Sequence, residues 1–247
     1  MASDSAATVA LGMITPSSNT VLEPMTYAML GDLDGVSAHF ARIRVTEITT
    51  KDEALAQFDN GPMLGAASLL ADAKVQAIAW NGTSASWLGF ARDVELCRAI
   101  ETETGIPATT SVHAINVALD GLGARRIAIV TPYLADIQER IVANYAAAGF
   151  AVVAERHLDD PGNYSFAEHD ETRIEELIRD VAAARPEAIA IVCTNFRGTR
   201  IAAGLEHELG IPIIDSIAAT LWHSLALAGM PSTGLEARGG LFRLTTA

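Results

Sequence analysis

Short, nearly continuous apolar runs alternate along the chain with longer segments whose apolar residues recur every three or four positions. Continuous runs of about 4–8 residues are typical of strands that are covered on both faces, whereas the longer spacing is typical of amphipathic helices. The predicted strands are residues 9–14, 37–45, 75–80, 126–130, 151–156, 188–192 and 213–214. Strands that alternate with helices predict an α/β protein with parallel sheets.

The helical segments are bounded by recognisable end signals. The predicted helices are residues 21–30, 52–73, 94–103, 114–122, 135–148, 170–184, 200–209 and 217–227. Gly105, Gly149 and Gly210 each follow a predicted helix, and glycine is the residue that most often ends a helix.

The order of motifs in the first half of the chain is repeated in the second half. Each half has a strand that ends in Thr-Pro, at Thr15-Pro16 and Thr131-Pro132. Each half also has a Gly-Ile-Pro tripeptide, Gly105-Ile106-Pro107 and Gly210-Ile211-Pro212, which leads into a further strand. The repeat predicts two similar parallel-sheet lobes related by a pseudo-twofold axis, with the active site in the cleft between them.

The repeat also suggests a division of the chain. Residues 1–115 are predicted to form the first lobe and residues 116–216 the second, with residues 217–247 packing back on the first. Since ligands bind beyond the carboxyl ends of parallel strands, both lobes would present their strand ends to the cleft. At equivalent strand ends the first lobe has Gly82 and the second has Cys193.

Composition narrows the classes of partner. The chain has 247 residues, a formal net charge of −13 and a pI near 4.8. Such a charge argues against nucleic acid and anionic membranes as partners, because both need a basic surface. No apolar run approaches the roughly 18 residues of a membrane span, and the run at residues 9–14 is too short for a signal peptide.

Two cysteines and six histidines limit the chemistry further. Cys97 and Cys193 form no disulfide framework, which favours a reducing, cytoplasmic location. The histidines show no metal-ligand spacing with the cysteines, so no metal site is expected. No Walker motif is present and no GxGxxG follows the first strand, so no nucleotide cofactor is expected.

Two strand ends in the first half carry small polar residues. Pro16-Ser17-Ser18-Asn19-Thr20 offers hydroxyls, an amide and, if a helix begins at Thr20, free backbone N–H groups that suit an anion. The alternative is an ordinary helix cap, which these residue types also form. Asn81-Gly82-Thr83-Ser84 allows a close backbone approach to a carboxylate or an enediolate, or else is a tight turn into a helix.

Two strand ends in the second half carry the more reactive side chains. Tyr133 follows Thr131-Pro132 and either points its phenol into the cleft or packs against the core. Cys193 ends a strand, where a following helix can lower the pKa of the thiol, and either a reactive thiol or a small buried apolar residue fits that position. Cys97, in contrast, falls within a helix between Leu96 and Arg98 and is interpreted as a small buried apolar residue.

Together these residues resemble the aspartate/glutamate racemase superfamily, and within it the maleate isomerase and arylmalonate decarboxylase branch. Residues 82–86 are similar to the Gly-Thr-Ser-x-Ser loop that supplies the decarboxylase's oxyanion hole. Tyr133 and Cys193 match that branch's cleft tyrosine and catalytic cysteine, whereas residues 16–20, Asn163 and residues 193–195 are more similar to the isomerases. The resemblance implies catalytic roles for Thr83, Ser84, Tyr133 and Cys193 and substrate binding by Pro16, Asn19, Gly82, Asn163, Thr194 and Asn195.

The chain departs from the racemase pattern at one position. Racemases and maleate isomerases of this superfamily have a second cysteine near Gly82, which is absent here; either Asn81 or Gly82 stands in its place. Two-base racemisation needs a proton donor on each face of a planar intermediate, so a typical racemase is not expected.

These considerations predict a cofactor-independent, cysteine-dependent enzyme that acts on a small mono- or dicarboxylate. The first hypothesis is decarboxylation of a substituted malonate, with Cys193 protonating the enediolate and Thr83, Ser84 and Tyr133 stabilising it. The alternative is a maleate-type cis–trans isomerase in which Cys193 adds to the double bond, or else a relative of the amino-acid racemases. A carboxylate-binding protein without catalysis is the third hypothesis, and a homodimer is left open.

Overall fold

The computed structural model describes residues 8–46 and 60–245. The first eight residues of the predicted helix 52–73 therefore lie outside the described residues. Within the described residues, no helix is both long enough and apolar enough to cross a membrane.

The first half of the chain contains four strands and the helices that connect them. They are β1 (Val9–Pro16), α1 (Leu22–Leu30), β2 (Val36–Ile43), α2 (Asn60–Asp72), β3 (Ala77–Trp80), α3 (Ala85–Leu88), α4 (Ala91–Thr104), β4 (Ala108–Thr110) and α5 (Ser111–Gly121). The short helix α3 has no counterpart among the predicted elements, because four residues are too few to show a helical period.

The second half repeats the arrangement. It comprises β5 (Arg126–Val130), α6 (Ala135–Ala147), β6 (Ala151–Arg156), a 3₁₀ turn (Ser165–Glu168), α7 (Glu171–Ala182), β7 (Ala188–Ile191), α8 (Thr199–Leu209), β8 (Ile213–Asp215) and α9 (Ser216–Leu227). Two 3₁₀ turns follow α9, at Glu236–Arg238 and Gly240–Arg243.

The two sheets have the same strand order. The first is β2-β1-β3-β4 and the second is β6-β5-β7-β8, and every neighbouring pair is parallel. The prediction of an α/β protein with two similar parallel-sheet lobes is therefore confirmed. In both sheets the polar residues that follow β1, β3, β5 and β7 stand at the carboxyl edge, where parallel sheets bind ligands.

The central strands hold the core. Every residue of β7 has no exposed surface, and β3 is buried along its whole length. Helices cover both faces of each sheet, which explains why these strands are apolar throughout rather than alternating. Burial of this surface is the main source of stability and makes the strand ends a rigid platform.

Helix α9 links the two lobes. It packs against α5 and also contacts β3, β4 and β8, and the Thr220 hydroxyl donates a 2.8 Å hydrogen bond to the Ser111 hydroxyl. Ser111 and Ser216, which occupy equivalent positions in the repeat, begin α5 and α9 respectively. Helix α5 runs across the boundary proposed at residues 115 and 116, and that division stays a prediction.

Candidate active site

The strand ends of both lobes meet around one small cavity. All ten residues predicted for the site lie in its wall, together with Val45, Trp80 and Trp87. The lining is Pro16, Asn19, Val45, Trp80, Gly82, Thr83, Ser84, Trp87, Tyr133, Asn163, Cys193, Thr194 and Asn195. The structure thus brings the predicted residues together, while their chemical roles stay predictions.

Three lining residues were not predicted from the sequence, because they are apolar. Val45, Trp80 and Trp87 are all nearly inaccessible to solvent and look like ordinary core residues in the sequence. The position of Trp80 at the end of β3 is the one sequence signal that places it near the cleft.

The cavity is small, and the side chains in its wall are buried. Its volume is about 30 Å³, and the Thr83, Tyr133 and Cys193 side chains are all at most 5% exposed. In the described part of the chain, the lining includes no aspartate, glutamate, lysine, arginine or histidine. The described residues also contain no cluster of His, Cys, Asp and Glu that would hold a metal ion.

Tyr133 connects the two lobes beside the thiol. Its phenol oxygen lies 2.6 Å from the Thr83 hydroxyl oxygen, and it also forms a hydrogen bond with the Cys193 side chain. The ring is held by edge contacts with Trp87 and Phe166, at centroid distances of 5.2 Å and 5.4 Å. Tyr133 therefore packs in the core and points its hydroxyl into the cleft at the same time.

The pKa of the Cys193 thiol is strongly shifted, in the direction opposite to the one that the sequence suggested. Burial raises the pKa of Cys193 to about 12, while hydrogen bonds from Tyr133 and from the Asn195 backbone lower the pKa without offsetting that effect. The effect of the following helix that the sequence suggested does not set this pKa, because burial of the sulfur dominates and α8 begins only at Thr199. Cys193 is thus a neutral thiol at physiological pH.

Asn19 both caps a helix and lines the cavity, which are the two alternatives considered for its loop. Its Oδ1 accepts hydrogen bonds from the backbone N–H groups of Val21 (3.0 Å) and Leu22 (2.9 Å), which caps α1. Its Nδ2 donates to the Thr194 hydroxyl at 3.0 Å. The helix begins at Leu22 rather than at Thr20, and the asparagine serves as cap and as cavity wall together.

Thr194 and Asn195 tie the second lobe to the first. The Thr194 hydroxyl donates to the Asn81 carbonyl at 2.8 Å, and Asn195 Oδ1 accepts from the Thr20 backbone N–H at 2.9 Å. Asn195 Nδ2 donates to the Asn163 carbonyl at 2.8 Å, and Asn163 Nδ2 donates to the Val45 carbonyl at 3.1 Å. These bonds hold the amide side chains around the cavity in fixed orientations.

Asn81 and Gly82 have different positions relative to the cavity. The Asn81 Nδ2 donates to the carbonyls of Ile14 and Ala79, both at 3.2 Å, so this amide turns back into the sheet. Gly82 lines the cavity that holds Cys193. Of these two residues, Gly82 is therefore the one that lines the cavity.

No side chain fits at Gly82 without moving its neighbour. A Cβ atom there would lie 2.2 Å from Cζ2 and 2.3 Å from Cε2 of Trp80. Such distances are far inside van der Waals contact, and the atoms involved belong to a rigid ring in a buried position. The Trp80 indole thus fills the space where a side chain at residue 82 would begin.

Thr83 and Ser84 begin the turn into α3. The Ser84 residue is the N-cap of α3 and makes no side-chain capping bond. In the described part of the chain, no acceptor is found for the backbone N–H groups of Gly82, Thr83 and Ser84. Successive unpaired N–H groups at a turn are suited to hold a carboxylate or an enediolate.

Comparison with known proteins agrees with this geometry. The family model described as arylmalonate decarboxylase matches residues 11–242. A maleate isomerase from Pseudomonas putida is 29% identical over 227 residues, covering 87% of this chain and 90% of the relative. An arylmalonate decarboxylase from Bordetella bronchiseptica is 32% identical over 166 residues, covering 66% of this chain and 68% of the relative.

A solved structure extends the similarity over the whole fold. The crystal structure of a maleate isomerase from another Pseudomonas putida strain superposes with a TM-score of 0.86 at 25% identity, covering 95% of this chain and 98% of that chain. These matches confirm the predicted relationship to the maleate isomerase and arylmalonate decarboxylase branch of the aspartate/glutamate racemase superfamily. The relatives are maleate isomerases and an arylmalonate decarboxylase, and this chain is an enzyme that belongs to the arylmalonate decarboxylase family.

Proposed function

We propose that this enzyme decarboxylates a small substituted malonate and that Cys193 protonates the resulting enediolate. The observation that carries the proposal is the neutral, buried thiol in a cavity without charged side chains. A thiol with a raised pKa holds its proton at neutral pH, so it is equipped to donate a proton rather than to remove one.

In the proposed reaction, one carboxylate of the malonate is held by the N–H groups and hydroxyls at Thr83 and Ser84. The other carboxylate lies against the apolar wall formed by Val45 and Trp87, where a charge is poorly solvated and neutral carbon dioxide is favoured. Asn19 and Asn163, with Pro16, Thr194 and Asn195, are proposed to complete the substrate-binding wall.

Decarboxylation moves one electron pair and consumes one proton from solution. The bond between the α-carbon and the departing carboxylate breaks, and its electron pair moves into the retained carboxyl group to form an enediolate. Carbon dioxide leaves, and the α-carbon takes the proton of the Cys193 thiol. Water then returns a proton to the thiolate, so one proton from solution is consumed in each turnover.

Delivery of the proton to one face of the enediolate predicts a product of a single handedness. Cys193 and Tyr133 are the ionisable side chains in the described lining, and both come from the second lobe. On the Gly82 side stands the Trp80 indole, whose N–H is too weakly acidic to serve as a general acid near neutral pH. Protonation from the Cys193 face alone gives one enantiomer of an α-substituted acid.

The cis–trans isomerisation of a maleate-like diacid is the second candidate. It is favoured by the amides of Asn19, Asn163 and Asn195 around the cavity, which suit two carboxylates, and by the extent of similarity to the maleate isomerases. In that reaction the sulfur bonds to one alkene carbon, rotation follows about the new single bond, and the sulfur leaves again. The thiol must first release its proton, which the raised pKa of Cys193 opposes.

Proton NMR in deuterated water separates the two reactions. The protein is mixed in parallel with methylmalonate and with maleate. We expect propionate with one deuterium at the α-carbon from the first and no fumarate from the second. Formation of fumarate without decarboxylation would instead establish the isomerase, and turnover that persists in Cys193→Ala would contradict both.

A further inference from the structure

A second and larger cavity lies behind the catalytic cavity. Its volume is about 390 Å³, and its wall combines the apolar side chains of Met63, Leu88 and Leu96 with the polar ones of Asn60, Arg92, Asp93 and Glu95. Arg92 and Glu95, which are exposed, stand at its edge, so this cavity opens to solvent. It lies between α2, α3 and α4 of the first lobe.

Trp80 and Ser84 line both cavities. The Trp80 side chain is 1% exposed and separates about 30 Å³ on the Cys193 side from about 390 Å³ on the other. Its ring atoms Cζ2, Cε2 and Nε1 stand 2.2, 2.3 and 2.6 Å from the site of a Cβ at residue 82. The indole is thus the partition, and Gly82 is the position against which the indole rests.

We propose that Trp80 is the specificity-determining residue of this enzyme, because its indole limits the group on the substrate's α-carbon to a small one. The proposal rests on the proposed function only in taking the small cavity as the site where the carboxylate binds. It follows that Gly82 is needed to seat the indole, and that the pair formed by Trp80 and Gly82 acts as one unit.

The volumes explain why one side chain has this effect. The space behind Trp80 is about 390 Å³ against about 30 Å³ in the catalytic cavity, so the additional room that a phenyl group needs, on the order of 150 Å³, lies on the far side of the indole. A shorter side chain at residue 80 lacks Cε2, Cζ2 and Nε1 and joins the two spaces. Met63, Leu88 and Leu96 then offer apolar contacts to the aromatic ring, beside the polar side chains of Asn60 and Asp93.

The native protein provides the first test. Binding of propionate and phenylacetate, which stand for products with a small and a large substituent, is measured by ligand-observed NMR. We expect propionate to bind and phenylacetate to bind at least about tenfold more weakly, since a pocket that is too small rejects the larger group. Equal binding of the two acids by the native protein would overturn the proposal.

The variant Trp80→Leu provides the second test, with Trp80→Phe as a milder change. Trp222→Leu is the matched control, because Trp222 is also buried but donates its indole N–H to the Leu244 carbonyl away from the site. We expect Trp80→Leu to shift the ratio of phenylacetate to propionate affinity by about tenfold or more and Trp222→Leu to leave it unchanged. A folded Trp80→Leu protein with the native ratio would contradict the proposal.

A third measurement needs no ligand. Gly82→Ala is made in the native protein and in the Trp80→Leu variant, and the midpoint of thermal unfolding is recorded for all four proteins. We expect Gly82→Ala to lower the midpoint by several degrees in the native background and by less than half as much in the Trp80→Leu background, because the colliding ring atoms are gone. Equal decreases would show that the indole does not fill this space.

The three measurements distinguish a failure of the specificity role of Trp80 from a failure of the proposed function. If neither acid binds to any folded variant, the carboxylate site itself fails, and the unfolding cycle still decides whether Trp80 and Gly82 are coupled. If the acids bind and the affinity ratio responds to Trp80→Leu, the specificity role stands whichever reaction the enzyme catalyses.

Discussion

The Thr83 hydroxyl of the first lobe lies 2.6 Å from the Tyr133 hydroxyl of the second lobe, and the two are hydrogen bonded. Tyr133 also bonds to Cys193, so one phenol joins the loop that follows β3 to the thiol that follows β7. A proton donor and a proposed oxyanion loop that belong to different lobes are thereby held in a fixed relation. This contact leads to the first prediction.

Tyr133→Phe should lower the turnover number by about 10²-fold, the usual loss for one catalytic hydrogen-bond donor. Without the phenol, the pKa of Cys193 also rises further, because the Tyr133 hydrogen bond is the main influence that lowers it. The matched control is Tyr145→Phe, since the Tyr145 hydroxyl is buried with no hydrogen-bond partner among the described residues. Steady-state kinetics should show Tyr145→Phe at native activity; equal losses in both variants would argue against a role for the Tyr133 hydroxyl.

The two cysteines should respond differently to the same substitution. Cys193→Ser should abolish turnover with the fold intact, because a hydroxyl does not replace the thiol as donor or nucleophile. Cys97→Ser should retain nearly full activity, since Cys97 is half-buried in α4 and away from the cavity, where burial raises its pKa to about 12. Activity and circular dichroism of both variants check this, and the reverse pattern would show that the reactive thiol is misassigned.

Thr83→Ala should lower the turnover number by about 10²-fold, as expected when one oxyanion donor is removed. Thr83→Ser keeps the hydroxyl beside Tyr133 and should restore most of the activity. Turnover number and KM are measured for both variants on the same substrate. Native values of both in Thr83→Ala would remove this residue from the proposed mechanism.

Gly82→Cys tests whether one-sided proton delivery sets the handedness of the product. A thiol at residue 82 would supply a donor on the wall opposite the second lobe, but its Cβ collides with the Trp80 ring. We therefore expect racemisation in the double variant Trp80→Leu with Gly82→Cys and much less in Gly82→Cys alone. One enantiomer of a 2-substituted acid is incubated in deuterated water, and deuterium at the α-carbon is followed together with optical purity. A folded, active double variant that scrambles no faster than the parent would show that residues 82 and 193 do not address the same carbon.

Asp93 should make the stability of the protein depend on pH. Burial raises the pKa of Asp93 to about 7 from an ordinary value of 3.8, although the Thr110 hydroxyl donates a hydrogen bond to the carboxyl group. The folded protein thus binds this proton more tightly than the unfolded chain does. The resulting stabilisation is complete below the unfolded pKa of 3.8 and is lost as the pH rises through about 7.

Asp93→Asn imitates the protonated carboxyl and removes this dependence. Between about pH 5 and about pH 8, the native protein should lose roughly 2–3 kcal/mol of unfolding free energy relative to the variant. Urea unfolding of both proteins at the two pH values measures the difference. The contributions of the other titratable groups to the unfolding free energy cancel, because those groups are common to both proteins. Asp120→Asn, at an exposed position that is paired with Arg125, is the control. A constant difference between the native protein and Asp93→Asn would mean that Asp93 is ionised in the folded state throughout.

Much of the fold follows from local sequence. The strands β1, β3, β5 and β7 are apolar runs bounded by turn residues, and the repeat of Thr-Pro and Gly-Ile-Pro motifs indicates two equivalent units. Strand ends in parallel sheets share one edge, so the residues after these four strands were expected to meet. All ten predicted residues do line one cavity: nine end or follow these four strands, and Asn163 comes from the loop after β6.

The properties that govern reactivity come from contacts between residues far apart in the chain. The pKa of Cys193 depends on how completely the two lobes exclude water from the sulfur, and the sequence position at a strand end predicted the wrong direction. The bond between Thr83 and Tyr133, and that between Asn19 and Thr194, depend on how the lobes are placed relative to each other.

The contact between Trp80 and Gly82 likewise separates what the sequence predicts from what the tertiary structure decides. The sequence by itself determined that no cysteine directly follows β3, where Asn81 and Gly82 stand, and that the second lobe supplies a thiol after β7. Only the tertiary structure decided that an indole occupies the space over that glycine and separates the small cavity from the larger one. The physical reason is that residue types and strand order specify which groups reach the cleft, whereas distance, burial and shape arise only when the two lobes pack together.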